Sequence, residues 1–233
     1  MFDRPAHQRI AQFLALLNAD FLARSGCYFA GGTAIVLSLN EYRESVDVDF
    51  LCGSMDGYRA LRNTITNASL GSILSGSVEL ARDVRADRYG IRTFVRIDGT
   101  PIKFEIVSEG RIAISGGIDP VFGVPTLSRL DMYAEKLLAN ADRCGDLSVA
   151  SRDAIDLAML IAHWGAIPEE AWDKARRAYG QSVDTYYDKA IELVSDSGYL
   201  ASCLQKMRME PALVERIPQL LRSSLPPQGR PAT

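Results

Sequence analysis

Two aspartates one residue apart, Asp47 and Asp49, follow the run Gly31-Gly32-Thr33, and a further carboxylate, Glu105, stands in a later alternating segment. Over residues 45–51, Val46, Val48 and Phe50 alternate with Asp47 and Asp49, so a strand there puts both carboxylates on one face. Such a pair supplies hard oxygen ligands suited to Mg²⁺ or Mn²⁺ bridging the phosphates of a nucleoside triphosphate (NTP). A glycine pair at a helix start lets backbone amides approach a phosphate closely, and the Thr33 hydroxyl and the helix dipole favour the same anion. Glu105 could hold a second metal or accept the proton of an attacking hydroxyl; Asp98 and Glu109 are alternatives for that third position. Taken singly, a glycine pair is commonly a turn and two alternating aspartates are commonly a solvated strand face. In this order they form a phosphate cradle, a metal pair and a base, the parts of phosphoryl or nucleotidyl transfer.

The elements that must hold these groups are readable from periodicity. Ile10, Phe13, Leu14, Leu17 and Phe21 predict one amphipathic helix over residues 6–25, stopped by Gly26. A short strand over 27–30, a glycine turn and a helix from Thr33 come next, then the strand 45–51 and a helix over 58–67, with 68–76 a loop or short strand. Residues 89–98 and 101–108 read as two strands joined at Asp98-Gly99-Thr100, a tight hairpin turn. Ile102, Phe104 and Ile106 share one face of the second strand, Lys103, Glu105 and Val107 the other. Beyond Pro125 the pattern is helical, with helices expected from about 127 and over 151–164, 169–178, 182–196, 199–207 and 211–222. The expected fold is α+β: a mixed sheet with flanking helices over 1–125, a helical bundle over 126–222, and a proline-rich disordered tail over 223–233.

Composition narrows the functional classes. With 47% hydrophobic and 24% charged residues the 233-residue chain is globular, and a net charge of −3 argues against a protein that coats nucleic acid through bulk charge. Arg82, Arg85, Arg88, Arg92 and Arg96 nevertheless cluster beside the third-carboxylate strand, either as a solvated face or as a groove for the phosphates of an RNA acceptor. The four cysteines lack any CxxC pairing, and His7 and His163 are the only histidines, so a structural zinc site is not expected. No membrane span or leader stands out, which predicts a cytoplasmic protein with free thiols. Trp164, Trp172, Tyr186 and Tyr187 read as helical core aromatics.

Phe29 to Ile35 together with Tyr42 to Phe50 resembles the GGT … R-x-S-x-D-x-D block of the AbiEii/AbiGii-type nucleotidyltransferases, a branch of the DNA polymerase β-like superfamily. Residues 133–143 are similar to that family's K-L-x-A-x-x-x-R helix, and 151–157 to its R-D-x-x-D-L helix. The resemblance implies a nucleotidyltransferase-like N-terminal half and transfer of a nucleotidyl group from an NTP to an acceptor hydroxyl. It implies Asp47 and Asp49 as metal ligands and catalytic groups, with Lys136 and Asp156 in the later motifs; Glu105, read from its strand, stands as the third metal and catalytic carboxylate, with Asp98 and Glu109 as the alternatives. Gly31, Gly32 and Thr33 would hold the triphosphate, with Arg43, Ser45 and Arg152 alongside. Lys136 makes sense as a point charge on the triphosphate or the leaving pyrophosphate. Arg152, Asp153 and Asp156 crowd one helix face, which by itself could equally be a surface ion-pair helix. For the family the implied acceptor is an RNA, the end of a tRNA, and the implied setting is the toxin of a toxin–antitoxin or phage-defence pair with a cognate antitoxin. Transfer to a protein or small molecule needs the same metal clamp, and a vestigial nucleotide- or RNA-binding interaction protein is the alternative outside enzymes.

Overall fold

The alternation over residues 45–51 and 101–108 becomes two neighbouring strands at the centre of a seven-stranded sheet. The computed structural model describes residues 2–225. Its strands are β1 (Cys27–Ala30), β2 (Val48–Cys52), β3 (Glu79–Ala86), β4 (Gly90–Ile97), β5 (Thr100–Ser108), β6 (Gly116–Ile118) and β7 (Pro125–Leu127), in the spatial order β3-β4-β5-β2-β1-β7-β6. β2 runs antiparallel to β1 and parallel to β5, and β7 runs parallel to β1. Helices α1 (Pro5–Leu14), α2 (Ala19–Arg24), α3 (Gly31–Ser38) and α4 (Met55–Arg62) accompany the sheet. The chain divides into two compact units, one through Arg129 and the other from Leu130.

The first unit is held by the apolar face of the central strands. Val48 and Phe50 of β2 and Phe104 and Ile106 of β5 are fully buried. Phe104 meets Phe13 of α1 edge-on at 5.2 Å between ring centroids and Phe50 at 6.1 Å, and Phe50 in turn meets Phe29 at 5.5 Å. Each such ring contact contributes roughly 0.5–1.5 kcal/mol beyond the area it removes from water. Side chains of opposite parity on β2 and β5 face away from this core, and these include Asp49 and Glu105. The hairpin forms as expected, with Asp98 (φ 47°) and Gly99 (φ 74°) linking Ile97 to Thr100.

Several elements differ from their sequence expectation. The single helix over 6–25 is two, because Leu17 pairs with Leu74 and the Asn18 N–H donates to the Ile73 carbonyl, while the Asn18 side chain caps α2. The helix over 58–67 starts earlier, where the Ser54 hydroxyl accepts the Gly57 N–H as an N-cap. The glycine pair is the first turn of α3, not a turn before it. β2 begins at Val48, so Val46 is 51% exposed and does not share the buried face of Val48 and Phe50. β3, β6 and β7 had no alternating signature: β3 carries register shifts against β4, and the other two span three residues each. β7 begins at Pro125, and its Thr126 and Leu127 lie where only helix was expected.

The second unit contains α5 from Leu130 onward (the helix is Arg129–Arg143), α6 (Arg152–Trp164), α7 (Glu169–Tyr179), α8 (Ser182–Ser195), α9 (Ser197–Lys206) and α10 (Leu213–Arg222). Its core includes Trp172 and Tyr187, perpendicular at 4.9 Å, and the Tyr187 hydroxyl donates to the Leu221 carbonyl. Burial therefore claims Trp172 and Tyr187 as core aromatics; Trp164 and Tyr186 are half-buried. Ser224 is buried and its hydroxyl accepts the Ile167 N–H, so ordered chain continues past the expected end of the bundle. The remainder of the expected tail, 226–233, lies outside the described residues. All four cysteines are free and buried, and among the described residues no helix is long and apolar enough to cross a membrane.

Candidate active site

The site begins where β1 ends. Ala30, its last residue, is the register partner of Asp49 on β2, and Asp49 is the register partner of Glu105 on β5. Gly31 then opens α3 with φ 73°, a conformation that favours glycine. A β-carbon on Gly31 would stand 2.9 Å from Oδ2 of Asp49 and 3.2 Å from its Cβ, so the bare backbone makes the room the carboxylate occupies. Glycine is needed here twice, once for the turn and once for this approach. The N-cap residue of α3, Ala30, offers no side-chain oxygen to the first-turn amides.

Asp47 precedes β2 in an irregular connection and is half-buried, as Asp49 is. Of the three carboxylates considered for the third position, register puts Glu105 beside Asp49. Asp98 is in the β4–β5 turn, and Glu109 is 5% exposed and bound to Arg111 through both carboxylate oxygens. Glu105 has two cationic partners. Arg92 on β4 donates through Nε at 2.5 Å and Lys103 through Nζ at 2.8 Å. Burial would push the Glu105 carboxyl up, but Lys103 and Arg92 outweigh it and hold it below the ordinary value. Burial would lower Lys103; its bond to Glu105, with the charges of Glu105, Asp49 and Asp47, raises it instead. A lysine thus stands among three carboxylates, and among the described residues no group of three or more His, Cys, Asp or Glu is arranged to hold a metal. Asp47 and Asp49 are hard carboxylates, the donor type that suits Mg²⁺ or Mn²⁺.

Thr33 is 1% exposed, and its hydroxyl is 2.7 Å from the Ser45 hydroxyl, so the two predicted triphosphate groups are joined to each other. Arg43 is buried, with Nη1 donating to the Glu44 carbonyl. Gly32 is half-buried in the first turn of α3.

In the second unit, Lys136 of α5 is 6% exposed; its ammonium lies 2.9 Å from Asp153 and 2.7 Å from Asp156, both on α6 and both buried. Arg143 also binds Asp153, through Nε and Nη2. Burial would raise the Asp153 carboxyl, and Lys136 and Arg143 hold it below the ordinary value. Lys136 and Asp156, predicted from two separate motifs, are therefore partners in one ion pair. Arg152, the first residue of α6, is half-buried, and its charge acts on Asp146. A second buried pair, Lys174 with Asp131, joins α7 to α5.

Sequence reasoning missed Lys103 and the His7–Glu41 pair. Lys103 was legible, since it lies two residues before Glu105 on the same strand face; His7 and Glu41 are 34 positions apart and nothing in the sequence connects them.

The family described as nucleotidyl transferase AbiEii toxin, type IV toxin–antitoxin system, has a sequence model that matches residues 12–223. Among solved structures, a Helicobacter pylori protein crystallised as a candidate nucleotidyltransferase aligns with TM-score 0.55 at 16% identity, over 93% of this chain and 92% of that one. JHP933 from Helicobacter pylori aligns with TM-score 0.53 at 17% identity, over 96% and 93%. At these identities the likeness is one of fold. No curated protein sequence matches the chain.

Proposed function

Because this chain belongs to the AbiEii nucleotidyl transferase toxin family of type IV toxin–antitoxin systems, we propose that it moves a nucleotidyl group from an NTP to the terminal hydroxyl of an RNA, a tRNA end being the expected acceptor. The acceptor hydroxyl gives its proton to water as its oxygen bonds to the α-phosphorus, the bond from that phosphorus to the bridging oxygen breaks, and pyrophosphate leaves. The first-turn amides of α3 at Gly31, Gly32 and Thr33 receive the triphosphate. Asp47 and Asp49 would hold Mg²⁺, which when bound would neutralise charge on the phosphates. Each Glu105 oxygen carries one cationic partner, Arg92 on one and Lys103 on the other, and in this reading Glu105 keeps two cations beside the aspartates. Lys136 and Asp156 fix α5 against α6. As a toxin the enzyme would be opposed by a cognate antitoxin.

The observation that carries the RNA reading is one continuous row of register partners. It runs from Arg85 at the edge strand through Arg92 and Glu105 to Asp49. Register partners share a sheet face, and at roughly 4.8 Å per strand this row is about 14 Å long. Beside it Arg82 lies 4.7 Å over the ring of Phe94, and Arg88 stacks on the exposed Tyr89. Exposed guanidiniums interleaved with aromatic rings suit the backbone and bases of a single strand.

The test is to incubate purified protein with Mg²⁺, total tRNA and each α-³²P-labelled NTP, with the Asp47→Ala/Asp49→Ala variant alongside. Label on RNA that requires the aspartates supports the proposal and identifies the NTP. Label on protein or small molecules would replace the acceptor, and no label under any condition would overturn transfer.

A further inference from the structure

The connection between α3 and β2, residues 39–47, has no strand ladder, yet it delivers Ser45 and Asp47 to the site. Asn40 and Glu41 enter it in the left-handed region, at φ 56° and 55°, and the Glu41 N–H donates to the Val36 carbonyl to close α3. The Glu41 carboxylate turns to the start of α1. It accepts the N–H groups of Asp3 at 2.7 Å and Arg4 at 3.1 Å, and it meets Nδ1 of His7 at 2.6 Å. His7 is fully buried, and its Nε2 accepts the Ser45 N–H at 3.2 Å. A backbone amide can only donate, so Nε2 carries no proton and Nδ1–H points at Glu41. Ser45 in turn bonds Thr33 through the two hydroxyls.

The result is a single file, Glu41 to His7 to Ser45 to Thr33, reaching from the N-terminus of α1 to the first turn of α3. We propose that His7, oriented by Glu41, is a positioning residue that sets Ser45 and Thr33 for the triphosphate. A buried, satisfied histidine with no such role would bind its neighbours without ending on a phosphate-binding turn; here the last link is Thr33, the third residue of that turn. The inference rests on the reading of Gly31–Thr33 as that cradle.

The test measures equilibrium binding of Mg²⁺-loaded α,β-methylene NTPs, and KM and kcat for transfer, in wild type, His7→Leu, His7→Gln and Glu41→Gln, with folding followed by circular dichroism and melting. His7→Leu keeps volume and loses both hydrogen bonds; it is expected to weaken NTP binding and raise KM about tenfold, with kcat within about threefold. His7→Gln can accept from Ser45 and donate to Glu41, and is expected to return affinity to within about threefold of wild type. Folded His7→Leu with wild-type affinity overturns the proposal, as does His7→Gln as weak as His7→Leu, since packing would then be the whole effect. If His7→Leu fails to fold, Glu41→Gln decides: an NTP Kd raised a few-fold supports the file, and an unchanged Kd overturns it. Wild type that binds no NTP overturns the cradle itself, an outcome distinct from wild type and His7→Leu binding alike.

Discussion

The first and second units each gather carboxylates with cations, and they do so in opposite ways. Around β2 and β5, Asp47 and Asp49 are half-buried and Glu105 shares two cations. On α5 and α6, Asp153 and Asp156 are enclosed with Lys136, and the partly exposed Arg143 reaches Asp153. The difference lies in solvent. A half-exposed carboxylate keeps lone pairs available to a ligand, while an enclosed one must be neutralised where it stands, because its desolvation costs several kcal/mol. The first arrangement suits binding and the second joins two helices.

The strongest way to break this comparison is to exchange the expected outcomes. Asp49→Ala is expected to lower transfer about a thousandfold or more while the melting temperature stays within a few degrees. A folded, fully active variant would remove Asp49 from the site. Asp156→Ala should do the reverse and destabilise by about 3–5 kcal/mol, read as a lower urea midpoint, because Lys136 is left buried with one partner fewer. If Asp156→Ala instead melts like wild type and loses turnover, the cluster is catalytic after all. Gly31→Ala is expected to cost about 1–2 kcal/mol from its left-handed backbone and to displace Asp49, lowering transfer by more than its stability loss explains.

Acid sharpens the contrast. The Asp153 carboxyl is lowered in the folded state, so its contribution is present above the unfolded value of about 4 and is lost as pH falls through the lower folded value. Wild type should therefore lose stability steeply below about pH 4, and Asp153→Asn, destabilised at neutral pH, should show a shallower acid decline in urea melts. The smallest effect is expected at the sheet edge, where Arg85→Ala should raise the KM for RNA two- to fivefold and reduce the salt dependence of RNA binding by about one counterion. An unchanged salt slope would leave the arginine row a solvated face.

The sequence by itself determined the parity of the central strands. Alternation is a local property of the backbone, so Val48, Phe50, Phe104 and Ile106 on the core side, and Asp49 and Glu105 opposite, followed from spacing alone. The Asp98-Gly99 hairpin and most helices of the second unit were legible for the same reason. Only tertiary structure decided which strands are neighbours, and with that which carboxylate of Asp98, Glu105 and Glu109 lies beside Asp49. It also decided burial, which turned Lys136 and Asp156 from two motifs into one ion pair, and it brought His7 to Ser45 across 38 positions. Spacing specifies the direction in which a side chain leaves its own element; what it meets there depends on packing between residues far apart in the chain.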